Sequence, residues 1–308
     1  MRQTTAVIDL GTNTFNLLIM QVTNNVPHIL HTTKQAVQLG EHTIGSNIIN
    51  AAAQQRAINA LQHFVTICNE YKVTTINAFA TSAVRNASNC NEFCTAVKQY
   101  TNIIIQVIDG LREAELIYNG VRHAVTIPTT HNTLIMDIGG GSTEFIICNH
   151  AHIIFKQSYN IGIARLLAKF NPSDVITEKD KTTITNYLTA ELSTLTVAIQ
   201  LHRPTLLVGS SGSFDTFADV LLLQNNLPIL TSQHTSYEFD LPQLFQLFET
   251  IYVSTFEQRL AMPGVIPLRA QMLVLAALCT QYIITQYNIN QLWLSTYALK
   301  EGVMYEGL

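Results

Sequence analysis

Apolar and polar positions follow two rhythms along this chain, and the switches between them outline its elements. Three short apolar runs come first: TAVIDL, NLLIMQV and, after Pro27, HILHTT. Their length and β-branched content predict a strand meander. From about Asn50 to Tyr71 the period changes. Ile58, Leu61, Val65 and Cys68 fall at three- and four-residue steps, the spacing of one helix face. A strand (76–80), a helix (91–100), a strand (103–108) and a helix (112–123) follow. A meander that gives way to alternating strands and helices predicts a mixed α/β sheet with helices packed on it.

The pattern then starts again. TLIMDI (133–138), EFIICN (144–149) and HIIFKQSYN (152–160) predict a second meander. Helices over 163–170 and 178–201, a strand at 205–209 and a helix over 213–223 come next. Residues 228–237 read as an irregular connection, followed by further helices, a long one over 268–287, a strand at 292–295 and a final helix. The seam lies near 130–133. The expected domains are 1–124 and 125–308, with the last helix able to pack back on the first.

The restart is an internal repeat. IDLGTNTFNLLI (8–19) overlays MDIGGGSTEFII (136–147) at an offset of 128 residues, about one domain. Asp9 falls on Asp137, Gly11 on Gly139, Thr14 on Ser142, and Asn16 on Glu144. A single D-x-G-[TS] match is commonly a plain hairpin. Two matches on equivalent strands favour paired ligand-binding turns facing each other across a cleft.

The residue types suggest the ligand. Gly139, Gly140 and Gly141 would weaken a strand, so something must approach this backbone closely. Small residues let backbone N–H groups converge on an anion, and Thr12, Asn13, Thr14, Ser142 and Thr143 add short donors. Asp9, Asp137 and Glu144 only accept. Beside phosphates they would repel unless a hard cation lay between, and Mg²⁺ or another divalent ion suits that place. With Asn16 standing where Glu144 stands, the second turn is expected to bear the metal and the first to cradle phosphate.

Composition narrows the picture. The 308 residues are 47% apolar and 12% charged, with net charge −4 and no basic run. Large cores are therefore expected, while nucleic acid and anionic membrane surfaces are not expected partners. Runs such as MLVLAALC fall far short of the ~20 residues of a membrane helix. MRQTT leads straight into a strand without a secretory apolar region, and five scattered cysteines fit a reducing cytoplasm. Cys90 and Cys94 read as small apolar fillers on one helix face.

With these residues in place, the sequence resembles the exopolyphosphatase/guanosine pentaphosphate phosphatase family of the actin, sugar kinase and Hsp70 superfamily, in its short two-domain form. The matching segments are VIDLGTNTFNLLI (7–19), AFATSAVRNA (78–87), VIDGLREAELIYNGV (107–121), MDIGGGSTEFII (136–147), LLVGSSGSFDTFADVL (206–221) and LSTYALKEGVMYE (294–306). The resemblance implies two ribonuclease H-like domains around an interdomain cleft. It implies hydrolysis of the terminal phosphoryl group of polyphosphate or, alternatively, of guanosine pentaphosphate. By motif, Glu113 matches the catalytic glutamate, Asp137 and Glu144 the metal-associated acids, and Arg85 a basic residue near the phosphates. Asp9, Gly11 and the GSSGS turn (Gly209, Ser210, Ser211, Gly212 and Ser213) match phosphate-binding positions, and Arg269 is a further candidate. A carboxylate in the first turn of a helix, as at Glu113, is able to hold and deprotonate an attacking water. It also fits a solvated acid favoured by the helix dipole.

The chain departs from the family at several positions. Gln38 stands in VQLG where arginine is common. Arg112-Glu113-Ala114-Glu115 replaces a Glu-Glu-Ala-Arg stretch, and Gln271 replaces an acid after Arg269. So few cations imply salt-sensitive turnover and poor processivity on long chains. A sugar or acid kinase on the same fold and a non-catalytic nucleotide sensor stay open, and phosphate release without an acceptor separates them. A serine hydrolase is disfavoured because Ser213 breaks the G-x-S-x-G elbow. A homodimer is among the assemblies left open.

Overall fold

The computed structural model describes residues 4–23, 26–41 and 43–306. It divides into two compact units, Met1–Gly120 with Leu299–Leu308, and Val121–Ala298. The boundary falls inside the helix Gly110–Ala124.

In the first unit, β1 (Thr4–Leu10), β2 (Thr14–Thr23) and β3 (Val26–Ala36) form the antiparallel meander. β4 (Thr75–Ala80) lies parallel to β1, and β5 (Ile105–Val107) parallel to β4. The order is β3-β2-β1-β4-β5. Helices Ala51–Glu70 and Cys90–Thr101 cover it, burying Ile8, Leu10, Phe15, Leu17, Leu61, Phe64 and Phe93 completely. The longer helix has the limits its periodicity predicts. Its N-cap, Asn50, accepts the Ala53 amide at 2.8 Å, supplying a partner for one of the unpaired donors at a helix start.

The second unit repeats this plan. β6 (Thr133–Ile138), β7 (Thr143–Cys148) and β8 (Ile153–Tyr159) form the meander, β9 (Leu206–Ser210) joins β6 in parallel, and the sheet adds β10 (Ser236–Phe239) and β11 (Gln291–Ser295). The order β10-β11-β9-β6-β7-β8 matches the first sheet with one extra antiparallel edge strand. The repeat extends to register. Asp9 pairs with Asn16 and Asp137 with Glu144. A bulge follows Ile19 in the first unit and Ile147 in the second, again 128 residues apart.

Several boundaries differ from expectation. The helix expected over 178–201 is two, Glu178–Glu191 and Ser193–His202. Leu188, Leu192 and Leu195 stay buried across the break, so the apolar period conceals it. The helix expected over 268–287 is also two, Pro267–Ala270 and Leu273–Gln286. At that break the Ala270 carbonyl accepts from Arg259 Nε at 3.0 Å, a side-chain bond that periodicity cannot show. The strand expected over 103–108 is limited to β5, because its ladder with β4 spans only Ala78–Ala80. The connection expected to be irregular ends in a strand, since Ser236 already pairs with Ser295. The last helix, Leu299–Tyr305, belongs to the first unit, where Met304 packs with Leu18 and Met20.

Candidate active site

The two glycine turns share one geometry. In each, four residues, 11–14 and 139–142, lie between the last paired positions, Leu10 with Phe15 and Ile138 with Thr143. A Cβ on Gly11 would lie 2.8 Å from the Thr14 carbonyl oxygen, and one on Gly139 the same distance from that of Ser142. Only glycine fits at the bend.

The backbone of each turn is held from one side. In the second, the Gly139 carbonyl accepts from Ile163 N at 3.0 Å and that of Gly140 from Ala164 N at 2.9 Å. Arg165 adds bonds to Gly140 through its amide (3.2 Å) and to Gly141 through Nε (3.1 Å). A trans peptide points its C=O and N–H to opposite sides. The amides of Gly140, Gly141 and Ser142 therefore point away from residues 163–165, as a row of donors. In the first turn, the Thr12 carbonyl accepts from Gly40 N at 2.8 Å, and that of Asn13 from Val37 and Gln38 amides at 2.9 Å. The amides of Asn13 and Thr14 point away from that segment by the same rule.

The chain itself approaches the three glycines closely on one face. A Cβ on Gly162 would come within 2.4–2.5 Å of the Gly140, Gly141 and Ser142 backbone. Buried Thr143 spends its hydroxyl on the Ile161 carbonyl at 3.4 Å.

The carboxylates distinguish the turns. Asp137 and Glu144 are both buried and stand directly opposite each other on β6 and β7. Ser210 Oγ donates to Asp137 Oδ2 at 2.5 Å, and Ser158 Oγ to Glu144 Oε1 at 2.6 Å. Like charges at opposed strand positions repel, and the serine hydroxyls offset part of that cost. No group of three or more His, Cys, Asp or Glu able to hold a metal occurs among the described residues. Two carboxylates, with remaining positions left to water and phosphate oxygens, is a donor set that suits Mg²⁺. In the first turn, half-buried Asp9 accepts from Asn16 Nδ2 at 3.0 Å. Burial pushes its carboxyl up to about 6, against the pull of the Lys300 ammonium and the Asn16 amide, with Glu301 adding to the rise.

Glu113 sits in the first turn of the helix Gly110–Ala124, which Asp109 opens by accepting the Arg112 amide at 2.7 Å. Glu113 is only 7% exposed, which sets aside the reading as a solvated acid. Arg85, from the short helix Ser82–Arg85, donates through Nη1 to Glu113 Oε2 at 2.8 Å and to the Ile108 carbonyl at 2.9 Å. The structure thus joins Arg85 and Glu113, from segments 28 residues apart.

The GSSGS turn links β9 to the helix Gly212–Gln224. Ser211 holds φ +78°, ψ 172°, a region nearly reserved for glycine. Arg269 lies against Gly212, where a Cβ would meet its guanidinium at 2.3 Å. It donates to Thr216 Oγ1 at 2.7 Å and faces Asp215 at 3.8 Å. Burial lowers the Arg269 pKa, against Asp215 and Asp219.

Residues that sequence reasoning passed over complete the picture. Gly162 and Arg165 brace the second turn. Arg56 braces the first, donating to the Val37 and Gln38 carbonyls at 2.8 and 2.9 Å. Gln38, at φ +51°, contributes its backbone to the turn whatever its side chain. Gly162 and Arg165 follow the third strand of the repeat, a weak signal available in the sequence; Arg56 offered none. Cys90 and Cys94 are half-buried, and burial with the neighbouring Cys90 thiol raises Cys94 to about 11.

Residues 18–308 match the Ppx/GppA phosphatase family. An exopolyphosphatase structure from Cytophaga hutchinsonii is 42% identical with a TM-score of 0.96, covering 98% of this chain and 97% of its own. A Haemophilus influenzae protein provisionally named an exopolyphosphatase is 27% identical over 97% of this chain and 90% of its own length. The Aquifex aeolicus Ppx/GppA family member, 24% identical, shares the fold at a TM-score of 0.81 over 99% of this chain and 97% of its own. The family match over nearly the whole chain and the shared fold agree: this chain belongs to the Ppx/GppA phosphatase family and is a hydrolase of phosphoanhydride bonds.

Proposed function

We propose that the chain releases the terminal phosphate of inorganic polyphosphate by water attack. The row of amides from Gly140 to Ser142, beside the opposed carboxylates Asp137 and Glu144, carries this reading. Donors converging next to paired acids suit a substrate that is anionic and arrives with a divalent cation. Asp137 and Glu144 would hold Mg²⁺, which neutralises charge on the phosphoryl oxygens when bound.

Each group has a distinct task. Glu113 orients the attacking water and accepts its proton, and Arg85 fixes the carboxylate that does so. The amides of Asn13 and Thr14, the second turn and the GSSGS turn hold phosphoryl oxygens. Phosphoryl transfer needs mainly positioning and charge stabilisation, which fits a site made of backbone donors and few cations. The 42% identical exopolyphosphatase supports polyphosphate over guanosine pentaphosphate.

The test is parallel phosphate release from short polyphosphate and guanosine pentaphosphate, with Mg²⁺ and with chelator. Faster Mg²⁺-dependent turnover on polyphosphate is expected, and Glu113→Gln should lower it by about 100-fold or more while substrate still binds. Preference for the nucleotide would overturn the substrate assignment. Full turnover in chelator would overturn the role given to the metal.

A further inference from the structure

The end of the chain returns to the helix that carries Glu113. A helix of seven residues, Leu299–Tyr305, is marginal by itself, and here it is tied down at three points within the first unit. A Cβ on Gly302 would lie 1.7 Å from the Leu116 carbonyl oxygen and 3.1 Å from the Gly120 amide nitrogen. The two helices therefore meet backbone to backbone, one turn beyond Glu113. Met304 packs with Leu18 and Met20 of β2, and at one end Lys300, paired with its neighbour Glu301 at 2.7 Å, attracts Asp9 of the first turn while Glu301 repels it. At the other end, Arg112 Nη2 reaches both oxygens of Glu306 at 2.5 Å, while Nη1 meets Glu115 at 3.3 Å.

We infer that the C-terminal helix is a bracket that sets Glu113 relative to the Asp9 turn, and that the Arg112–Glu306 pair is its pin. Gly302 fixes the distance between the helices. Arg112 precedes Glu113 directly, so the bond to Glu306 fixes rotation of the first turn about its own axis. Asp109 holds the Arg112 and Glu113 amides and Arg85 holds the Glu113 carboxylate, and the Arg112–Glu306 pair adds the anchor from the last helix. Arg112 and Glu306 are positioning residues under this reading, and the sign pattern Arg112-Glu113-Ala114-Glu115 serves the C-terminal glutamate.

The inference rests on the role proposed for Glu113, so the test separates the two. Full-length Arg112→Gln, Glu306→Gln and the reversed pair Arg112→Glu with Glu306→Arg are compared with wild type and Glu113→Gln. The readouts are kcat and KM for Mg²⁺-dependent phosphate release from tripolyphosphate, and amide exchange over residues 299–306. The pair is partly exposed, at 35% and 41% of the side chains, so the variants are expected to fold. Each single variant should lower kcat by roughly three- to tenfold with KM within about twofold, and speed exchange in the last helix. The reversed pair should bring kcat back to within about threefold of wild type and slow exchange again. Faster exchange with unchanged kcat would make the helix merely structural and overturn the inference, as would a reversed pair that stays slow. If Glu113→Gln itself retains full turnover, the role of Glu113 fails instead.

Discussion

The two glycine turns share a bend and a strand register but differ in their central residues, Thr12-Asn13 against Gly140-Gly141, and in the residue seven positions after the aspartate. Both bend at a glycine that a Cβ would crowd at 2.8 Å, and both have their carbonyls consumed from one side. In the first turn the aspartate faces an amide, Asn16; in the second it faces a carboxylate, Glu144. The Asn16 amide donates to Asp9, whereas Asp137 and Glu144 repel each other across the strands and each draws on a serine hydroxyl. One duplicated scaffold thus places different cross-strand partners beside equivalent aspartates.

The largest effect expected from perturbing this comparison is at the braces. Gly162→Ala puts a methyl into the second turn's backbone at 2.4–2.5 Å, and should cost about 3 kcal/mol or prevent folding. Denaturant midpoints measure it, and an unperturbed midpoint would show that the turn gives way easily. Next is the opposed acid pair. Glu144→Gln should lower Mg²⁺-dependent phosphate release on the order of 100-fold and raise the Mg²⁺ concentration needed. Asn16→Ala should leave the Mg²⁺ requirement unchanged, and equal Mg²⁺ dependence in the two variants would erase the distinction between the turns.

A smaller effect concerns pH. The Asp9 carboxyl titrates near 6 when folded against 3.8 as its ordinary value. Between these values the folded state keeps a proton that the unfolded chain has lost, so stability falls as pH rises through the window. The penalty is complete above about pH 6. Asp9→Asn should therefore stabilise the protein by about 2 kcal/mol at pH 7.5 and by almost nothing at pH 3. Unfolding midpoints at the two pH values check this, and an equal shift at both would refute it. The smallest change is Ser211→Gly, which relieves φ +78° in the GSSGS turn and should stabilise by about 1 kcal/mol. A destabilised variant would mean that the serine side chain holds the turn.

Much of the fold was legible because periodicity reports burial. The helix Ala51–Glu70 falls within the expected span from about Asn50 to Tyr71, and β6 coincides with the run TLIMDI. The breaks at Leu192 and at Gln271–Met272 were not legible. Leucines remain in phase across the first, and a carbonyl captured by Arg259 marks the second. In the candidate site, the motifs gave Asp137, Glu144 and Glu113 but not their relation to Ser210, Ser158 and Arg85, which lie 73, 14 and 28 residues away. No local spacing encodes such pairs.

The sequence by itself determined that the chain is duplicated, because a 128-residue offset in residue type needs no coordinates to be seen. It also determined that the second turn carries an extra acid and that few cations are available for an anionic substrate. Only the tertiary structure decided what the glycines accommodate. They admit Gly162 on one face, and the planar peptides then turn their amides to the other. It alone brought the last helix onto the helix of Glu113, since side-chain patterns record which face is buried but not which backbone comes to lie against it.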